Sequence, residues 1–219
     1  TSTSYVFYKP QGLVCDNFRF IGNTVIGGYY GFYFYGQGTG KGGYNTNVII
    51  DSNVFKDAYC YPHYFYYNDL TSFSYNTITP RRTNGYTYWC GYSIYTNHNY
   101  TVGNTWNTMN NNTINYFYNY TGRGYFANNE IINKSNTGGY GMYIYGSNID
   151  VYHNSFYTTG GSSYSLYIEG SNGQVDCQNN QIFAENECVR AYQTGNINLW
   201  NNNYYSRVNM LGMWDNVQC

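Results

Sequence analysis

The chain has 219 residues, of which 42% are hydrophobic, yet 32 are tyrosine and only 10% of the chain is charged. A net charge of −1 excludes the basic footprint of a nucleic-acid-binding protein, and no apolar run approaches the ~18–20 residues of a helical bilayer span. So few aliphatic side chains would hardly fill one globular core of this length. They suit an elongated repeat protein with a thin, continuous core.

In chain order, Asn23 is the first of eight asparagines set in the same surroundings, followed by Asn53, Asn76, Asn112, Asn129, Asn154, Asn180 and Asn202. Each is followed two residues later by an apolar or aromatic residue, and apolar residues stand three and usually five positions before it. Phe32-Tyr33-Phe34-Tyr35 is the first alternating strand of a second motif in phase with the anchors. Val48-Ile50-Asn53-Phe55 is the first clear copy of the anchor motif, and Tyr64-Phe65-Tyr66-Tyr67 is the next tyrosine strand. After Arg81-Arg82, a basic run too short to interpret, come Tyr92-Ser93-Ile94-Tyr95 and the ambiguous Tyr116-Phe117-Tyr118.

The second half is more regular, with steps of 25, 26 and 22 residues between Asn129, Asn154, Asn180 and Asn202. Met142-Tyr143-Ile144-Tyr145, Leu166-Tyr167-Ile168-Glu169 and Val189-Arg190-Ala191-Tyr192 are its tyrosine strands, closed by Gly146-Ser147-Asn148, Gly170-Ser171-Asn172 and Thr194-Gly195-Asn196. Each repeat thus predicts two or three short strands separated by turns rich in Gly, Asn, Ser and Thr, which tolerate left-handed backbone angles. No helical period is present. An asparagine recurring at one turn can stack on its copies and hydrogen-bond along the stack.

Strands joined by a tight turn with a stacked asparagine, in coils of about 22 to 26 residues, resemble the right-handed parallel β-helix family of pectate-lyase-like enzymes and phage tailspikes. The resemblance covers roughly residues 13–205 and lies at the level of the fold. It implies an all-β solenoid of about seven or eight coils as a single domain over 1–219, with the terminal segments as caps. It also implies a substrate groove along one face in the enzymes, served by calcium-binding carboxylates with an Arg or Lys base, or by an Asp trio. Charged residues here are sparse by comparison.

In the tyrosine strands, inward Phe32, Phe34, Met142, Ile144, Leu166 and Ile168 turn Tyr33, Tyr35, Tyr143, Tyr145, Tyr167 and Glu169 outward. The same register adds Tyr64, Tyr66, Tyr95, Arg190 and Tyr192. The expectation is two columns of mostly tyrosine with rungs about 4.8 Å apart. Such columns either stabilise the coils or form a surface for a glycan or another protein chain. Glu169 and Arg190, one coil apart, are the acid–base neighbours on this face, readable as a catalytic pair or as a surface salt bridge. Asp150 and Asp176 stand four residues before their anchors and are expected to stack outward, either solvated or sharing calcium, with Asn198 next in the column.

Six cysteines occur without a CxxC motif, and His63, His98 and His153 are scattered, so no zinc site or other cofactor is expected. Cys60 and Cys90 precede equivalent strands and are expected to form a disulfide, while Cys177 reads as core. Sequons begin at Asn99, Asn111, Asn119 and Asn133. Disulfides and a polar, uncharged surface favour an extracellular or cell-surface setting. The chain opens at Thr1 without a signal peptide, as in a processed form or a piece of something longer. The functional expectation is a non-enzymatic module for adhesion, glycan or partner binding, or filament assembly through the tyrosine face. A polysaccharide lyase or hydrolase on the same face is the alternative, and a passive rigid spacer a third.

Overall fold

The computed structural model describes residues 4–38, 43–79, 81, 94–99, 107–110, 113–114, 117–134, 139–160, 163–170, 174–192 and 195–214. Over 94–123, and at Ser147 and Trp214, the description is of the backbone. The first coil is β1 (Tyr5–Lys9), β2 (Arg19–Ile21) and β3 (Thr24–Ile26). It is repeated by β4 (Tyr30–Tyr35), β5 (Asn45–Asp51) and β6 (Val54–Lys56), then by β7 (Tyr61–Tyr66), β8 (Asn68–Ser74) and β9 (Thr77–Thr79). Next are β10 (Ile94–Asn99), β11 (Asn107–Asn110) and β12 (Thr113–Ile114). In the following coils the first two strands fuse, giving β13 (Phe117–Ala127) before β14 (Glu130–Lys134) and β15 (Gly139–Tyr152) before β16 (Ser155–Thr159). Three-strand coils then resume with β17 (Ser163–Glu169), β18 (Val175–Gln178) and β19 (Gln181–Ala184), and with β20 (Glu187–Tyr192), β21 (Ile197–Trp200) and β22 (Asn203–Ser206); β23 (Asn209–Trp214) is last.

All paired strands run parallel, in a 15-stranded and an 8-stranded sheet. The larger sheet folds into two faces because β13 and β15 run straight through its corner. The solenoid therefore has three faces: the first from β1, β4, β7 and their successors, the second from β2, β5 and β8, and the third being the smaller sheet. About six turns are closed, slightly fewer than expected, with the coil through β10–β12 described only in separate strands. The terminal segments expected as caps instead add rungs to the first face, β1 against β4 and β23 against β20.

The corner between the second and third faces explains the anchor spacing. Each turn there is two residues long. A left-handed residue comes first, Ser52, Tyr75, Asn128, His153, Asn179 or Asn201, with φ between 51° and 59°. The anchor asparagine follows and points inward. Its Oδ1 accepts from both the backbone N–H and the Nδ2 of the preceding anchor, as in Asn154 to Asn180 at 2.9 and 3.0 Å. Its own Nδ2 also donates to a carbonyl of the preceding coil, Asn180 to Val151 O at 2.8 Å. The same bonds link Asn23 to Asn53, Asn53 to Asn76, Asn129 to Asn154 and Asn180 to Asn202; Asn112 lies outside the described residues. Asn53, Asn76, Asn129, Asn154 and Asn180 are buried, while Asn23 is exposed and Asn202 half-buried at the ends of the stack; in the buried stretch a satisfied network is stable and an orphaned amide costs about 1–3 kcal/mol.

Inside the three faces runs the core, filled in the early coils by Phe32, Phe34, Phe55, Phe65 and Phe73 and later by Phe126, Ile144, Val151, Leu166 and Cys177. His63 is fully buried and packs edge-on to Phe55 at 3.9 Å. A second asparagine stack, which the anchor motif does not include, joins Asn45 to Asn68 at 2.6 Å where the first face meets the second. Both residues are fully buried.

Candidate functional site

The tyrosine strands keep the expected register. Phe32, Phe34, Met142, Ile144, Leu166 and Ile168 are buried. Tyr33, Tyr35, Tyr64, Tyr66, Tyr145, Tyr167 and Tyr192 are half-buried on the outside, and Tyr143 is 9% exposed. The backbone of Tyr95 lies in register with Tyr64; its side chain is outside the described residues. Rings in one column stack face to face, Tyr33 on Tyr64 at 5.0 Å, Tyr35 on Tyr66 at 4.7 Å and Tyr143 on Tyr167 at 5.0 Å.

A third column lies beside these two: Tyr5, Tyr30 and Tyr61 in the early coils, Tyr140 and Tyr164 in the later ones. Strict alternation back from Tyr33 would turn Tyr30 inward. The strand instead buries two consecutive residues, Gly31 and Phe32, and β7 does the same with Pro62 and His63. The phase slips by one residue, and Tyr30 and Tyr61 come out onto the surface. In two coils the backbones close up at this place, where a Cβ on Gly31 would lie 2.7 Å from Pro62 O and one on Gly141 2.7 Å from Ser165 O; in β7 the larger Pro62 occupies the same place. The added rings meet the neighbouring column edge-on, Tyr30 to Tyr33 at 83° and Tyr140 to Tyr143 at 74°. The result is a herringbone of aromatic rings. Burial, then the crowding of neighbouring phenols, pushes the Tyr33 hydroxyl well up and that of Tyr61 up to about 12; burial, then Glu169, pushes Tyr167 up to about 12. At neutral pH these hydroxyls remain donors.

Glu169 and Arg190 share the face but are not partners. Glu169 accepts a hydrogen bond from the Tyr143 hydroxyl. Arg190 grips Glu187 through Nε at 3.0 Å and Nη2 at 2.6 Å, donates to the Tyr164 hydroxyl at 2.9 Å and lies 4.4 Å over the Tyr164 ring. Register accounts for the difference: Arg190 pairs with Tyr167, and Glu169 pairs with Tyr192 in the next column. Glu187, in line with Tyr164, is 1% exposed. Nothing in the sequence pattern singled it out.

Asp150 and Asp176 stack outward on the second face, with Asn198 next in the column. Burial, then the neighbouring Asp176, pushes the Asp150 carboxyl up. Asp176 accepts from the amides of Gln174, at 2.9 Å, and Asn198. Two carboxylates and one amide fall short of the six to eight oxygens calcium takes, and among the described residues no three His, Cys, Asp or Glu side chains gather as a metal site. Cys60 is buried and disulfide-bonded, and Cys90 lies outside the described residues. Cys15, Cys177 and Cys188 carry free thiols. The sequon residue Asn133 is 6% exposed and bonded to Tyr140 O at 2.8 Å, which leaves it poorly placed to accept a glycan.

On the third face lies a second aromatic column that the sequence reading missed. Ile132, Tyr157, Phe183 and Tyr205 are in register. Tyr157 stacks on Phe183 at 4.7 Å and Phe183 on Tyr205 at 5.2 Å, and Tyr157 and Tyr205 are 42% and 62% exposed. The signal was present, since these residues stand three positions after anchors Asn129, Asn154, Asn180 and Asn202. It went unread because earlier coils carry Ile26, Lys56 and Thr79 at that position. The chain matches no family model, no curated protein and no solved structure.

Proposed function

We propose that the chain is a non-catalytic binding and assembly module, a rigid β-solenoid whose tyrosine-rich first face docks a glycan surface or another protein chain. The herringbone of half-buried rings carries this reading. The rings hold one another in place, so docking orders few side chains and loses little affinity to entropy. Their protonated hydroxyls offer donors across an otherwise apolar-bodied surface. Low surface charge leaves little repulsion against association. An extracellular or cell-surface setting suits the disulfide at Cys60, and we propose Cys90 as its partner; non-reducing peptide mass spectrometry should recover the Cys60–Cys90 link, and free thiols at both positions in oxidised protein would refute it.

The test of the function replaces Tyr33, Tyr64 and Tyr167 with serine and compares glycan-array binding, filament imaging and thermal melts. Binding or assembly should fall further than stability. A variant that melts several degrees lower yet binds and assembles normally would make the face purely structural. Cleavage of a polysaccharide by the wild-type chain, lost in the same variant, would favour the lyase or hydrolase alternative.

A further inference from the structure

The third face carries a groove of about 600 Å³ that crosses β14, β16, β19 and β22. One side is the stacked column Tyr157, Phe183 and Tyr205. Along the other runs a second outward column, Glu130, Ser155, Gln181 and Asn203, two residues earlier on the same strands. All four are exposed, and their side chains make no hydrogen bond within the described chain. This differs from the first face, where Tyr143 and Tyr164 have side-chain partners. Charge in the groove is confined to β14, which carries Glu130 at one end and Lys134 at the other, the Lys134 Nζ lying 5.9 Å from the Tyr157 ring centroid; the other three rungs are neutral.

We propose that this groove binds a neutral oligosaccharide lying along the solenoid axis. Three of the four rungs, on β16, β19 and β22, offer an aromatic ring and, beside it, a hydroxyl or amide side chain, the β14 rung adding Ile132 and Glu130 at one end, and the rungs repeat every ~4.8 Å. Four rungs make a track about 14 Å long. A sugar chain has apolar C–H faces for the rings and hydroxyls around its rim for Ser155, Gln181 and Asn203. A dry protein partner would bury those side chains unpaired, which is costly. An acidic chain would find a single cation at one end and no cation on the other rungs. The site is separate from the tyrosine face, so the two readings stand or fall independently.

Calorimetric titration of the full chain with β-1,4-linked tetrasaccharides of glucose, mannose and xylose, and with tetragalacturonate as the acidic counterpart, tests the site. At least one neutral tetrasaccharide should bind, and more tightly than the acidic one. Tyr157→Ala should weaken that binding about tenfold, the loss of one good aromatic contact, and Gln181→Ala should weaken it several-fold. Asp176→Asn on the second face should leave it unchanged. If Tyr157→Ala melts early, the exposed Gln181→Ala/Asn203→Ala double variant decides instead. The inference is overturned if no neutral member binds, if tetragalacturonate binds as tightly, if the groove variants bind like wild type, or if sedimentation shows the chain dimerising through Tyr157.

Discussion

The first and third faces are built from the same kind of rung, a short parallel strand with an aromatic residue pointing out, and they treat that residue differently. On the first face the one-residue phase slip brings a third tyrosine column against the second. Rings lock edge to face, and the Tyr143 and Tyr164 hydroxyls are held by Glu169 and Arg190. On the third face the strands Ser155–Thr159 and Gln181–Ala184 alternate without a slip. The aromatic column there runs beside polar side chains rather than a second column of rings, and Tyr157 and Tyr205 stay largely open. Periodicity decides that columns exist. Whether a column is locked or left accessible depends on what stands two or three residues away on the same strand.

This contrast is open to direct measurement, and the largest effect is expected at Arg190. Arg190→Leu removes the partner of a carboxylate that is 1% exposed and should cost about 3 kcal/mol, the low end for a broken buried pair because the arginine itself is partly exposed. Chemical denaturation measures it; a loss below about 1 kcal/mol would mean that Glu187 is readily rehydrated and the first face is looser than its geometry implies. Next comes Tyr143→Ser, which deletes a nearly buried ring and its bond to Glu169, for about 2 kcal/mol. The matching third-face variant, Tyr157→Ser, should change stability by less than about 0.5 kcal/mol, as surface changes usually do. Equal losses for the two serine variants would erase the distinction between the faces.

The fold was legible because its signal is doubled: anchors such as Asn154 and Asn180 fix one corner, and strands such as Met142–Tyr145 fix one face. The alternation of Phe32 and Phe34 with Tyr33 and Tyr35 carried over unchanged. Three things were not legible. The phase slip hides Tyr30, Tyr61, Tyr140 and Tyr164, because strict alternation sends them inward, whereas each is followed by two buried residues in a row that turn it out. The Asn45–Asn68 stack recurs over too few coils to stand out in an asparagine-rich chain. The pairing of Arg190 with Glu187 joins residues three apart across that same slip, where alternation gives no guide to which side chains meet.

Alkaline titration separates the locked rings from ordinary ones. In Tyr61 and Tyr167 burial comes first among the causes that push the phenol from its ordinary value near 10 up to about 12. Because the folded value is raised, the stabilisation is fully present below pH 10 and is lost as pH rises from 10 towards 12. Phenolate absorbance should therefore rise together with unfolding in that window. Ionisation of Tyr61 and Tyr167 near pH 10 with the fold intact would show that the herringbone admits water.

The second face offers the smallest and finest comparison. Its carboxylates are neither locked into an aromatic mesh nor left without partners: Asp176 holds two amides, and Asp150 is pushed up by burial first and by Asp176 second. Asp150 has its folded value raised, so its share of stability is present at low pH and lost as pH rises through its titration; at neutral pH two like charges face each other across one rung. Asp176→Asn removes that repulsion and keeps an oxygen for one of its two donors; Gln174 bonds Oδ2 and Asn198 bonds Oδ1, so the Gln174 amide must turn over to accept from the new NH2 while Asn198 keeps its acceptor. The expected gain is a few tenths of a kcal/mol, a rise of about one degree or less in Tm for a chain of this size, and it should shrink in high salt. Calcium and chelator should leave the wild-type melt where it is. A calcium-dependent rise in Tm that Asp176→Asn abolishes would reverse this, because an ion binding only the folded chain stabilises it by mass action, and the carboxylate pair would then be the cation site that its spacing in the sequence suggested.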